Sequence, residues 1–193
     1  MSLFEFIAGL YVVIAGLGIT LLVRSVGQMI ESRDHVLFYW IHSSWIGFIF
    51  VLNVNSWFTL WSYRDLTRWT IGQFLLLVLV PTLLYLAAHV SVPEIPEDTT
   101  QRYDMRAYYY ERCRILLGLI ALSILASLSA EYLLVDHQLL TADNWIRLTG
   151  LAFLLTGLLS RRPWVHAGIT LGALAIVAWS LGFVGHPLDQ ATR

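Results

Sequence analysis

The sequence predicts an all-α integral membrane protein: one domain, residues 1–193, folded as a bundle of six transmembrane helices. Of its residues 58% are hydrophobic and 13% are charged, with a mean hydropathy of +0.67, whereas about a quarter of the residues in a soluble protein are charged. The charged residues are also separated by six long charge-free windows. Because a charge at the bilayer centre is costly, these windows mark the candidate spans.

The windows cover residues 6–23, 35–63, 69–93, 115–130, 148–160 and 163–188. The fourth and fifth are shorter than the roughly 20 residues that a span requires, so those two spans must take a charge into the membrane edge. We therefore expect spans near 3–27, 36–61, 69–91, 102–134, 142–160 and 163–184. The first window lacks a basic start and an A-x-A exit, which indicates a retained span and not a signal peptide.

Arginine residues predict the orientation of the bundle. Eight of the twelve follow the first, third and fifth spans: Arg24, Arg33, Arg102, Arg106, Arg112, Arg114, Arg161 and Arg162. The opposite side carries the other four, Arg64, Arg68, Arg147 and Arg193. Because cytoplasmic loops are enriched in basic residues, both termini are expected on the non-cytoplasmic side of a multi-pass protein of the inner (plasma) membrane.

The composition excludes several classes of function. The chain contains no lysine, so it forms no Schiff base with retinal or pyridoxal and has no Walker-type phosphate lysine. Cys113 is its single cysteine, which excludes an internal disulfide, CxxC chemistry and a thiolate zinc cage. HExxH and GxSxG patterns are missing, so we do not expect an enzyme, and a net charge of −1 favours no nucleic-acid partner.

One face of the second span is polar. At 100° per residue Asn53 and Ser56 point within about 40° of His42, and Arg64 flanks this direction. A buried amide or imidazole needs a hydrogen-bond partner in hydrocarbon, so this stripe must face other helices or water. Either Asn53 and Ser56 bond across helices as packing contacts, or the stripe lines a wet conduction path.

Three histidines are expected at the same membrane face. His42 lies near the start of the second span, His89 near the end of the third and His166 near the start of the sixth. Grouped imidazoles could ligate a metal, hold a haem or relay protons. Histidine is also tolerated near a membrane interface, which is the structural alternative, and we expect no cofactor.

Glu131 and Arg147 are expected near the outer boundary, at the end of the fourth span and the start of the fifth. We predict either that they form an ion pair or that Arg147 reaches outward to the phosphate layer. Small residues mark a second kind of contact: Gly168 and Gly172 form a GxxxG pattern on the sixth span, which favours close helix packing within one chain or between chains.

Several short motifs carry a resemblance. They are WIHSSW at 40–45, WFTLW at 57–61 followed by Arg64, YLAA at 85–88 before Pro93, and Tyr109-Tyr110 before Arg112. In these motifs the chain resembles a group of small uncharacterised bacterial inner-membrane proteins, over roughly its first 115 residues. The group has no assigned activity, so the resemblance implies a bacterial membrane location and no mechanism.

Three functions fit these observations. The first is a channel or transporter-like conduit for protons, ions or a small solute, along the face bearing His42, Asn53 and Ser56, with Arg64 at its outer mouth. The second is a non-catalytic accessory subunit of a larger membrane complex or homo-oligomer. The third is a redox protein that holds haem between His42 and either His89 or His166.

Overall fold

The computed structural model describes residues 3–66, 69–93, 102–135 and 142–183, and within them the chain folds into six α helices. These are α1 (Leu3–Glu31), α2 (Trp40–Leu60), α3 (Ile71–Ser91), α4 (Met105–Leu134), α5 (Ala142–Leu159) and α6 (Pro163–Phe183). Each coincides with one expected span, and no end differs by more than about four residues, which is usual for boundaries placed from sequence. The all-α fold class is therefore confirmed.

Three of the described helices are long and apolar enough to cross a membrane. They comprise Phe4–Glu31 of α1, the whole of α3 and the whole of α4, while α5 and α6 count as shorter apolar helices. Large apolar side chains such as Val13, Ile115 and Leu171, each more than half exposed, stand on the outer surface of these helices. Such a surface suits a lipid environment and indicates a membrane protein.

Five helices form a closed ring in which α2 contacts α3, α3 contacts α4, α4 contacts α5, α5 contacts α6 and α6 returns to α2. Helix α1 packs outside the ring against α2 and α3. Because the start of α2 meets the end of α3 through His42 and Ser91, we call this the His42 end. The opposite end, where the end of α4 meets the start of α5, is the Glu131 end.

The largest buried apolar cluster fills the ring toward the His42 end. Its members include Trp45, Ile49, Leu117, Ile120, Leu154 and Ile169. Ile49, Leu117 and Ile120 are completely buried, so the described helices are closely packed at this level.

Two short strands were not expected from the sequence. β1 (Val36–Leu37) pairs in parallel with β2 (Tyr103–Asp104), and the backbone N–H of Tyr103 donates to the carbonyl of His35 at 2.7 Å. The pairing ties the connection before α2 to the segment before α4. Two-residue pairings carry no hydrophobic period, and for this reason no pattern in the sequence predicts them.

The GxxxG pattern of α6 is divided between two environments. A Cβ atom added at Gly172 would lie 2.7 Å from a ring carbon of Phe153 on α5, whereas one added at Gly168 would meet no atom within 4 Å. Only Gly172 therefore serves a close helix contact, and that contact lies within a single chain.

Candidate functional site

The polar residues of α2 face other helices. His42, Asn53 and Ser56 are 1%, 0% and 8% exposed. The Asn53 amide donates to the carbonyl of Ile49 at 3.0 Å, and the Ser56 hydroxyl donates to the carbonyl of Asn53 at 2.8 Å. These donors are satisfied by backbone of their own helix and not by groups on other helices, as the packing alternative expected. Asn53 is fully buried, whereas Ser56 also borders a space between α2, α3 and α4.

Helix α1 covers this part of α2. The Tyr11 hydroxyl donates to the carbonyl of Ser56 at 3.2 Å. A Cβ atom at Gly18 would lie 3.1 Å from Oδ1 of Asn53, and this oxygen has no hydrogen-bond partner within the described part of the chain. A side chain at Gly18 would therefore make a tight contact, to which the Asn53 amide must adjust by a few tenths of an ångström.

Arg64 lies apart from the other three residues. It follows the 3₁₀ turn Trp61–Tyr63, and its guanidinium lies 5.4 Å from the centre of the Trp61 ring. The guanidinium also pairs with the exposed carboxylate of Asp65 at 3.6 Å. The structure therefore does not bring Arg64 together with His42, Asn53 and Ser56.

Two of the three predicted histidines belong to one buried layer at the His42 end. Nε2 of His42 lies 2.9 Å from the carbonyl of Ser91, and Nε2 of His166 lies 2.9 Å from the carbonyl of Ser160. A carbonyl oxygen only accepts, so Nε2 carries the proton in both rings. Nδ1 of neutral His166 then accepts from the Tyr109 hydroxyl at 2.9 Å.

His89 does not join this layer, because its side chain is exposed. His42 and His166 both contact the ring of Tyr109, with ring centres 6.4 and 5.5 Å from it. Both nitrogens of His166 are engaged in hydrogen bonds, so ligation of haem iron or a metal by His166 requires one of those bonds to break. Within the described residues no group of three potential ligands is arranged to hold a metal ion.

A cavity of about 250 Å³ lies between α2, α5 and α6 with one residue of α4, and it is partly open, since its lining includes the exposed residues Asn55, Phe58 and Phe153. We call it the apolar cavity. Its walls are mainly aromatic and aliphatic, and include Trp45, Phe48, Phe58, Phe153, Ile169 and Ile176. Its polar lining consists of Asn55 and Arg147.

A second space of about 90 Å³ adjoins it between α2, α3 and α4, and we call it the polar cleft. Its polar lining is Asn55, Ser56, Thr59, Ser123, Ser127 and Arg147. Asn55 and Arg147 line both spaces, so they stand where the apolar cavity meets the polar cleft. The two spaces thus present an apolar and a polar lining on either side of these two residues.

Arg147 and Glu131 form an ion pair at this junction, in which Nη1 of Arg147 donates to Oε2 of Glu131. Of the two arrangements expected from the sequence, the structure has the ion pair. Both side chains are about a quarter exposed. Tyr63 is buried beside them. Its burial, and to a smaller extent the nearby Glu131 carboxylate, raises the pKa of its phenol above the ordinary value, so the phenol stays protonated.

Sequence reasoning missed Asn55, Thr59, Ser123 and Ser127 as lining residues. Asn55 and Thr59 are four residues apart on α2, and Ser123 and Ser127 are four apart on α4. This spacing puts each pair on one helix face, so a search of every span for such polar pairs would have found both. The stripe predicted on α2 is centred on His42, whereas Asn55 and Thr59 lie more than about 90° from it around the helix.

Searches against protein-family models, curated proteins and solved structures find no match to this chain. The function is therefore argued from the geometry of the chain itself.

Proposed function

We propose that this chain is a six-span inner-membrane protein that binds a small amphipathic solute between α2, α4, α5 and α6 and carries it as a transporter-like conduit. One observation carries the proposal: the apolar cavity of about 250 Å³ meets the polar cleft at Asn55 and Arg147. A dry cavity of about 150 Å³ is enough to bind benzene. The space therefore suits a small organic molecule with one polar end.

The packing supports a carrier and not an open pore. Toward the His42 end the ring is filled by side chains that are almost completely buried, among them Tyr109, Leu117 and Ile120. A solute bound at Asn55 thus needs a change of helix packing before it can leave in that direction. Conduits that open alternately to each side of the membrane work in this way.

The arginine distribution supports entry from outside. The eight arginines that follow the first, third and fifth spans flank the His42 end, and the positive-inside rule assigns that end to the cytoplasm. The Glu131 end, with Arg147 at the junction of the two spaces, then faces the outer side of the membrane.

Cysteine labelling tests the proposal. Asn55→Cys is introduced into a Cys113→Ala background and treated with a charged, membrane-impermeant thiosulfonate from either side of the membrane. We expect rapid modification from the outer side and little from the cytoplasmic side, because the reagent needs water to reach the thiol.

Leu122→Cys is the matched control, since Leu122 is 52% exposed on the apolar surface of α4. A thiol there faces lipid and should resist the reagent from both sides. The proposal is overturned if Asn55→Cys resists the reagent as well as Leu122→Cys does. Equal modification of Asn55→Cys from both sides contradicts a carrier and indicates an open pore.

A further inference from the structure

The charge of the binding site comes from one residue. Arg147 is the single charged side chain among the described residues that line the apolar cavity or the polar cleft. Its partner Glu131 lines neither space. A guanidinium carries five N–H donors, so the bond from Nη1 to Glu131 leaves donor capacity for a second acceptor.

Three of the four hydroxyl groups in the lining of the polar cleft already donate to the backbone. The Ser56, Thr59 and Ser123 hydroxyls each donate to a carbonyl of their own helix, at 2.8, 3.1 and 2.8 Å. Their remaining lone pairs can only accept hydrogen bonds. The donors toward a bound molecule are then the Arg147 guanidinium and the Asn55 amide, which line both spaces, with Nε1–H of Trp45 in the apolar cavity and the Ser127 hydroxyl in the polar cleft. Of these donors only Arg147 is charged.

We infer that the solute is a small amphipathic anion. Its negative head group binds the Arg147 guanidinium beside Asn55, and its short apolar part lies among Phe48, Phe153 and Ile169 in the apolar cavity. A volume of about 250 Å³ suits a short chain and is too small to enclose the two long acyl chains of a phospholipid. This inference rests on the proposed function, because it names the chemistry of the solute that the same site binds.

Glu131 acts as the counter-ion that the solute displaces. It neutralises Arg147 in the empty site, and a bound head group takes over that role. Glu131 is about a quarter exposed at the end of α4, so its carboxylate tolerates the loss of its partner better than a fully buried carboxylate does. When the anion binds, Arg147 exchanges one negatively charged partner for another, and this exchange keeps the binding reversible.

Three probes that share an octyl group and differ in their head group test the inference: octane-1-sulfonate, octanol and octyltrimethylammonium. Their binding to the full-length protein in phosphatidylcholine nanodiscs is measured by titration calorimetry. We expect octane-1-sulfonate to bind most tightly and the cation least. Arg147→Gln should weaken the binding of octane-1-sulfonate about tenfold to a hundredfold, which is the usual contribution of a hydrogen bond to a charged group. The affinity for octanol should stay unchanged.

Two further variants complete the test. Arg64→Gln is the matched control, because Arg64 is another arginine at the same end and lines neither space, and it should change no affinity. Glu131→Gln should increase the affinity for octane-1-sulfonate, since the carboxylate that competes for Arg147 is gone. If Arg147→Gln fails to fold with Glu131 unpaired, the double variant Glu131→Gln/Arg147→Gln removes both charges and should bind octanol normally without preferring the sulfonate.

The outcomes separate the two proposals. If the preference for octane-1-sulfonate persists in the double variant, or if the cation binds best, the anion inference is wrong while a solute site remains. If Asn55→Cys is inert and no probe binds, the proposed function fails, and the inference fails with it.

Discussion

At the scale of single residues, the buried polar side chains are held mainly by backbone carbonyls. His42, Asn53 and His166 are each at most 1% exposed, and each donates to a carbonyl. Within a bundle surrounded by lipid, such bonds replace those that water provides in a soluble protein. The Tyr109 to His166 bond differs, because both partners are side chains from different helices.

Tyr109→Phe should therefore destabilise the protein by about 1–3 kcal/mol, because it leaves Nδ1 of His166 buried without a donor. Thermal unfolding in detergent measures the change. Tyr110→Phe is the matched control: its hydroxyl contacts that of Tyr39 at 3.1 Å in a half-buried position, so its loss should cost less. Equal losses in the two variants would show that burial of the histidine does not set the cost.

At the scale of helices, the position of α1 depends on one glycine. Gly18 faces Asn53 of α2 and the backbone of Tyr85 on α3, whereas Gly16, two residues earlier, has open space around it. Because interiors of proteins are closely packed, a methyl group added at Gly18 must move a neighbour, whereas one added at Gly16 need not.

Gly18→Ala should thus cost about 1–3 kcal/mol through overpacking. Gly16→Ala should be neutral or stabilising by up to about 1 kcal/mol, because alanine is the better helix former. Unfolding of both variants in the same detergent gives the comparison. A stable Gly18→Ala protein would mean that α1 does not pack this closely on α2 and α3.

At the scale of the whole molecule, the six described helices run alternately toward and away from the His42 end, so that α3 ends and α4 begins at that end. In the six-span arrangement that we propose, the arginine-rich connections lie on the side of the His42 end. We expect those arginines, and not the packing, to set the direction of the bundle in the membrane, because cytoplasmic loops are enriched in basic residues.

Reporter fusions check this topology. A fluorescent protein inserted at residues 94–100 should fold and fluoresce in the cytoplasm, and alkaline phosphatase attached after residue 188 should be active outside it. Exchanging the two reporters should abolish both signals. If the positions report the same side of the membrane, the number of crossings between them is even, and the six-span interpretation is wrong.

The positions of the helices could be predicted from the sequence, because the cost of a charge in hydrocarbon and the length of a span act on each segment separately. The burial of His42, Asn53 and Ser56 followed from the same reasoning. The ion pair of Glu131 with Arg147 was one of the two arrangements predicted from the sequence, since the two residues lie on consecutive helices.

Only the tertiary structure decided which polar residues line a space and which fill a contact. Asn55 and Ser56 are neighbours in the chain, yet Asn55 borders both spaces while Ser56 bonds to its own helix and borders the polar cleft. Arg147, and not Arg64, reaches the apolar cavity. These outcomes depend on how far each helix is rotated against its neighbours, and that rotation is set by side chains from several helices at once.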